Sequence, residues 1–397
     1  MRPFIWLCSL GFCVSSFAQP TLKWSASLHL QGKTIDFILE QKMTRIYPPQ
    51  YQIWNGKERI DLISNSLQGD SIVCPISIFD AELKFPISPK ESFSGFYKKN
   101  DSKIANYRVP FSAKPYSKTE SQHVAAPMFN WNGQWLVEFM EDGQVSDSGL
   151  AVLTTKGDSV YGSILSETGD YRYLNGRATG KTMYLQTFDG AHTYRFDFEE
   201  DGSGTFIYSL NGKQNIRWKK LDANPLTNGF TKSRAKEKQK FSFKAKDEKG
   251  NSVDQNLGQL KGKALVVQVL GSWCPNCLDE ARFLTEAYPQ KPTNVEFVGL
   301  AFERKNDPAY AYSRIAIVKS RLKVPYPIYW AGLSNKDSAS KALPALTAVL
   351  SFPTTVFVRA DGSILAVHTG FSGPATGAYY TKWKEEFADL MKQLAKK

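Results

Sequence analysis

Ala264-Leu265-Val266-Val267-Gln268-Val269-Leu270-Gly271-Ser272-Trp273-Cys274-Pro275-Asn276-Cys277 is the stretch on which the reading of this chain turns. Its first seven residues form a near-continuous apolar run, the pattern of a strand buried on both faces. Gly271-Ser272-Trp273 then makes a turn. Pro275, which has no N–H to lose, suits the first turn of a helix running to about Tyr288. Two cysteines in C-x-x-C spacing thus open a helix at the end of a buried strand. Thiol–disulfide exchange needs an attacking thiolate, a second thiol close enough to resolve the mixed disulfide, and access for a partner. Unpaired N–H groups and the dipole at a helix N-terminus favour the thiolate. Cys274 is the expected nucleophile and Cys277, about one turn on, the expected resolving thiol.

Outward from this stretch the rhythm repeats. A second buried strand is predicted from Val295 to Ala301, and a helix from Pro308 to Leu322. The runs Thr354 to Val358 and Ile364 to Val367 flank an Asp361-Gly362 turn and predict a hairpin, and an amphipathic helix closes the chain from Ala378 to Leu394. Alternating strand and helix imply a βαβ unit with a parallel pair, to which the hairpin adds antiparallel strands. An α/β domain is therefore expected over 241–397.

Glu280 lies three residues beyond Cys277, so the two can share a helix face. A leaving or attacking thiolate in a partly buried site calls for a neighbouring group that holds a proton. Asp279 next door leaves open that Glu280 is an ordinary solvated helix glutamate. Trp273 is expected to cover the cysteine pair and offer apolar contact to a partner. A zinc half-site would need further ligands. The histidines, His29, His123, His192 and His368, are scattered singly, and no metal or other cofactor is expected beyond the cysteine pair itself.

Gly271-Ser272-Trp273-Cys274-Pro275-Asn276-Cys277, Glu280, and Phe352-Pro353-Thr354 ahead of a strand resemble the TlpA/ResA branch of the thioredoxin-like superfamily, as does the lead-in from Phe241 through Gly262-Lys263. The resemblance implies that Pro353 is a cis-proline facing the cysteines and that the backbone of Phe352 pairs with an extended substrate strand. Phe352 replaces the smaller residue often found there; packing as a core aromatic is its alternative role. Thioredoxins proper place an acid on the strand before the motif, where this chain has Gln268, which leaves Glu280, matching the family's glutamate, as the proton carrier. The resemblance also implies disulfide-containing or dithiol protein substrates and a membrane electron donor that keeps the pair reduced. Peroxidase and copper-chaperone chemistry fit less well: Gly271 stands where a peroxidatic cysteine's Thr or Ser belongs, and the cysteine spacing is not C-x-x-x-C.

Before residue 221 the pattern is different. Asn55-Gly56, Asn132-Gly133, Asp142-Gly143, Asp189-Gly190, Asp201-Gly202 and Asn211-Gly212 are hairpin dipeptides between short alternating runs. An all-β domain, sandwich or barrel-like, is expected over 19–221, joined by a basic linker, 222–240. Thr168-Gly169-Asp170-Tyr171-Arg172-Tyr173-Leu174, with Phe188-Asp189-Gly190-Ala191-His192, is similar to β-rich N-terminal extensions of some exported TlpA-like proteins.

The chain opens with Arg2, a short apolar run and small residues at Ser16 and Ala18, the signature of a secretory signal peptide over 1–18 cleaved near Ala18. Export to the periplasm is the expectation. Phe12 before Cys13 disfavours lipid anchoring. Cleavage leaves Cys74, Cys274 and Cys277, too few for a disulfide scaffold, with Cys74 read as a buried small hydrophobe. The net charge of +12 is spread along the chain without a basic patch interleaved with stacking aromatics, which excludes an evident nucleic-acid module. Pro275-Asn276 places no charge between the cysteines, so a reductase is expected rather than a strong oxidant. Oxidised envelope proteins are the expected clients, with apocytochrome c among the candidates. The competing reading is an envelope protein- or glycan-binding module carrying an accessory exchange domain.

Overall fold

The computed structural model describes residues 22–42, 46–87, 89–100, 107–117, 126–221, 233–237, 239–256 and 258–396. The expected signal segment lies outside the described residues, as do most residues of the expected linker. Among the described residues no helix is long and apolar enough to cross a membrane.

The β-rich region consists of two sheets. The first is an open antiparallel sheet of nine strands between Leu22 and Pro115, ordered in space fourth, third, second, first, ninth, eighth, seventh, sixth, fifth. Alternation decides which side is buried: along Leu22–Leu30, Trp24, Ala26, Leu28 and Leu30 point into the core while their neighbours stay partly exposed. Cys74 sits in this core, fully buried, and burial pushes its thiol far above the ordinary range.

The second sheet closes on itself. Gln144–Lys156 pairs with Gly133–Glu141, and the order continues through Lys213–Lys220, Ser203–Ile207, Thr193–Phe198, Thr182–Phe188, Leu174–Thr179 and Ser159–Ser166. Ser159–Ser166 then pairs with Gln144–Lys156 and removes the free edges. Phe139, Phe196, Phe206, Trp131 and Trp135 are among the buried residues that fill this barrel. Phe196 and Phe206 stack with centroids 4.3 Å apart. A short strand, Gly169–Asp170, returns along Ser159–Ser166 after a tight turn at Glu167-Thr168 and projects from the barrel.

The C-terminal domain is built on a seven-stranded sheet. Ala264–Leu270 is an interior strand, parallel to the middle strand Val295–Glu303 on one side and antiparallel to Thr354–Val358 on the other. Ile328–Leu333 and Ile364–Thr369 extend it on either side. Every residue of Ala264–Leu270 and Val295–Glu303 is buried, as the apolar runs require. Four helices accompany the sheet: α1 (Pro275–Ala287), α2 (Pro308–Leu322), α3 (Lys336–Ala342) and α4 (Ala378–Ala395). The strand Ile328–Leu333 and α3 were not anticipated from the sequence; both are short, and half-buried positions blur their periodicity. Part of the expected linker lies on this domain, with Ala235 bridging to Leu346 and Lys236 N–H donating to Ala345 O.

Two apolar layers sandwich the C-terminal sheet. One holds Phe241, Phe243, Leu343 and Leu346. The other, which includes Cys274, Cys277, Leu278, Phe283, Trp383 and Phe387, is continuous with the core of the open N-terminal sheet. The β-rich region is therefore packed against the face of the domain that carries the cysteines.

Candidate active site

Cys274 is the N-cap of α1, in extended conformation, and its Sγ accepts the Cys277 N–H at 3.2 Å. Pro275 takes the first helical position without losing a hydrogen bond. The two cysteines form a disulfide with Cα atoms 5.3 Å apart. Cys277 is fully buried and Cys274 retains only 5 % exposure. The loop carrying Phe352-Pro353 lies opposite; its peptide bond is cis, and Cys274 Sγ stands 3.4 Å from the Phe352 carbonyl oxygen. Phe352 is half-buried, edge-on to Trp273 at 5.4 Å, so it lines the site and also packs on the neighbouring core.

Trp273 is held by its indole N–H, which donates to Phe302 O at 2.9 Å. Gly271 makes room for it, because a Cβ there would fall 2.3 Å from the indole nitrogen. Arg304 lies over the ring at 5.4 Å. The turn is fixed from beneath by Glu303, which accepts the Ser272 N–H at 2.9 Å and the Ser272 hydroxyl at 2.7 Å. Burial raises the Glu303 carboxyl, although these bonds and nearby Arg314 and Arg304 oppose the rise.

Glu280 is fully buried, unlike a solvated helix glutamate. It accepts hydrogen bonds from Thr355 Oγ1 at 2.7 Å and Gln268 Nε2 at 2.9 Å. Desolvation outweighs these bonds and pushes the carboxyl up to about 7. Gln268 also donates to Cys277 O at 3.0 Å, while its own oxygen accepts from Tyr326 OH at 3.2 Å. The amide at position 268 thereby joins Glu280 to the Cys277 backbone. Thr355, Tyr326 and Glu303 were not singled out in the sequence, and Ser272 entered only as part of the turn and motif. Polar residues inside otherwise apolar strands, as at Gln268 and Thr355, were the available signal.

Asp279 has a separate role in packing. Arg172, 3 % exposed and projecting from the barrel, donates to Asp279 Oδ2 at 2.8 Å and Oδ1 at 3.2 Å and to Asp189 Oδ2 at 2.7 Å, and also pairs with Glu58 of the open sheet. Burial alone would favour neutral Asp189, but His192 and Arg172 hold its carboxyl well below the carboxylate range. On the other side Arg314 of α2 donates to Ser77 O at 2.7 Å and Ile78 O at 2.6 Å, in the 3-10 turn Ser77–Phe79 that joins two strands of the open sheet, and reaches Ser272 Oγ at 3.4 Å. Both β modules are thus joined to the elements that hold the cysteines.

A buried interior strand that turns into a helix capped by one cysteine of a disulfide pair, opposite a cis-proline loop, defines a thioredoxin-like thiol–disulfide oxidoreductase domain. The Redoxin family model matches residues 234–380. Thiol-disulfide oxidoreductase ResA of Halalkalibacterium halodurans is 27% identical over 157 residues, which span 39% of this chain and 76% of that protein. Among solved structures, a thioredoxin-like protein from Porphyromonas gingivalis is 20% identical over 38% of this chain and 90% of its own, with a TM-score of 0.29. A secreted Mycobacterium tuberculosis disulfide oxidoreductase homologous to E. coli DsbE is 23% identical over 38% and 96%, with a TM-score of 0.27. The C-terminal domain is thus similar to thiol–disulfide oxidoreductases of the TlpA/ResA type, and a β-rich region precedes it.

Proposed function

We propose that the chain is an exported, periplasmic reductase of disulfides in envelope proteins, with Cys274 as nucleophile, Cys277 as resolving thiol and Glu280 as proton carrier. The observation that carries this reading is the cysteine pair at the N-terminus of α1 with the buried Glu280 one turn behind it. In the reduced state the Cys274 thiolate attacks one sulfur of a client disulfide. The client S–S bond breaks, a mixed disulfide forms, and the departing client thiolate takes up a proton. The Glu280 carboxylate removes the proton from Cys277, whose thiolate attacks Cys274 Sγ and releases the second client sulfur, which is protonated in turn. Two electrons and two protons pass from the protein to the client, leaving the Cys274–Cys277 disulfide. Trp273, Phe352 and Pro353 form the apolar border against which a client strand docks.

The reducing direction is supported by Pro275-Asn276, which places no cation between the cysteines to stabilise a thiolate. A membrane electron donor returns the pair to the dithiol, and apocytochrome c is one candidate client. No cofactor beyond the pair is invoked. Against an accessory role for the exchange domain stands its packing: both β modules are held to the active-site helix and loop by Arg172 and Arg314. Equilibration of the mature protein in dithiothreitol or glutathione buffers tests the reading. A reduction potential well below the glutathione poise supports a reductase. A value far above it makes the protein an oxidant or isomerase, and no reversible couple removes the exchange function.

A further inference from the structure

Three contacts set the barrel hairpin tip across the thiol site. Ser351 Oγ, one residue ahead of Phe352, donates to Thr168 O at 2.7 Å. Asn276 Nδ2, between the two cysteines, donates to Asp170 O at 2.9 Å. Gly373 N–H donates to the Asp170 carboxylate at 2.5 Å. The backbone of Thr168-Gly169-Asp170 therefore runs between the proline loop and the cysteine loop, the two loops that flank Cys274. The fit is close on both sides. A Cβ on Gly169 would lie 2.3 Å from Asn276 Nδ2, and a Cβ on Gly370 would lie 3.0 Å from Gly169 N. Arg172, two residues further on, fastens the segment to Asp279 of α1. The pair beneath is almost closed to solvent, with Cys274 at 5 % exposure and Cys277 at 0 %.

We propose that the hairpin tip Glu167–Asp170 is a built-in occupant of the client groove, a stand-in for the extended strand that a client disulfide would present; this rests on the thiol-exchange reading above. Although it is a turn and not an extended strand, the tip offers backbone carbonyls to the loops on either side of the nucleophile, the same groups a client strand would offer. The docked state is closed to protein disulfides. Exchange requires the tip to leave, so the client rate is scaled down by the fraction of molecules that are open. The β-rich region then acts as a specificity gate: only a client, or a donor, that competes for Ser351 and Asn276 gains access.

The test uses the mature chain with Gly169→Val, which drives a side chain into Asn276, and separately Ser351→Ala, which removes one docking bond from the opposite side. The readout is the second-order rate at which dithiothreitol and a disulfide-linked client peptide exchange with the pair, with circular dichroism as the folding check. The expected result is a rise of about tenfold or more in the folded variants. Rates that stay within about twofold of the parent overturn the proposal alone. A disulfide that no reductant reaches in any variant overturns the thiol-exchange reading and the proposal with it. Should Gly169→Val fail to fold, a Cys277→Ser chain trapped as a mixed disulfide with the peptide gives a second measurement by amide hydrogen exchange. Loss of protection at Gly373 N–H relative to the free chain supports displacement of the tip. Retained protection overturns it.

Discussion

Gln268 Nε2 donates to Glu280 Oε2 at 2.9 Å inside a fully buried site, so a side chain that cannot titrate holds one whose carboxyl lies at about 7. The strand position and the helix position are twelve residues apart in the chain. Their contact places a proton-holding group in the same buried layer as Cys277.

Glu280→Gln keeps the shape and removes the titration. The rate of mixed-disulfide resolution in the parent should rise with pH through about 7, as the carboxylate forms, and lose that inflection in the variant. Stopped-flow exchange across pH 5–9 measures it, and a slowing on the order of 10²-fold at neutral pH is expected.

Stability should respond with the opposite sign. A carboxyl raised from 4.5 to about 7 by burial holds its proton in the folded state after the unfolded chain has lost it. Its contribution is complete below 4.5 and falls away as pH rises through 7, by at most about 3 kcal/mol. Denaturant unfolding at pH 5 and pH 8 should show this decline in the parent and a smaller one in Glu280→Gln.

Gln268→Ala removes the hydrogen bond that favours the Glu280 carboxylate, the bond to Cys277 O and the acceptor of the buried Tyr326 hydroxyl. A loss of about 1–3 kcal/mol is expected, together with an upward move of the kinetic inflection. An inflection that stays in place would show that Glu280 is tuned by burial alone.

Gly271→Ala directs a methyl group at the Trp273 indole nitrogen, 2.3 Å away. The indole should release Phe302 O and move off the site. The expected signs are a change in tryptophan fluorescence on reduction and a weaker KM for a client peptide, with the reduction potential little changed.

Arg172→Ala leaves Asp189, Glu58 and Asp279 facing each other without their shared cation. Removing one member of a buried charge cluster costs about 3–5 kcal/mol. The favourable term that His192 and Arg172 give Asp189 is present above the unfolded value of 3.8 and disappears only as pH falls below it. The destabilisation should therefore be full at neutral pH and shrink in acid, which urea titrations at pH 7 and pH 3 compare.

Much of the exchange domain was legible because its signals are local. A doubly buried strand must be apolar throughout, and a proline at the first helical position marks where that strand gives way to α1. The spacing of Cys274 and Cys277 is set by one helical turn. Glu280 could be proposed from the same periodicity, but its burial could not, since Asp279 beside it points to Arg172 instead. In the β-rich region the hairpin dipeptides announced antiparallel strands, yet they did not show that two sheets form or that one closes, because pairing of Gln144–Lys156 with Ser159–Ser166 and of Gly133–Glu141 with Lys213–Lys220 depends on curvature and register.

The sequence by itself determined the chemistry: two thiols one helical turn apart at a strand-to-helix junction, a choice made by nearest neighbours and the period of the helix. The tertiary structure decided who reaches those thiols. Thr168, Gly169 and Asp170 are polar turn residues that, read locally, belong on an exposed hairpin. They lie against Asn276 and Ser351, 106 and 183 residues away, only because the barrel and the exchange domain share a packed interface fastened at Arg172 and Arg314. Contacts of that sequence separation depend on where whole sheets pack, and no local period encodes them.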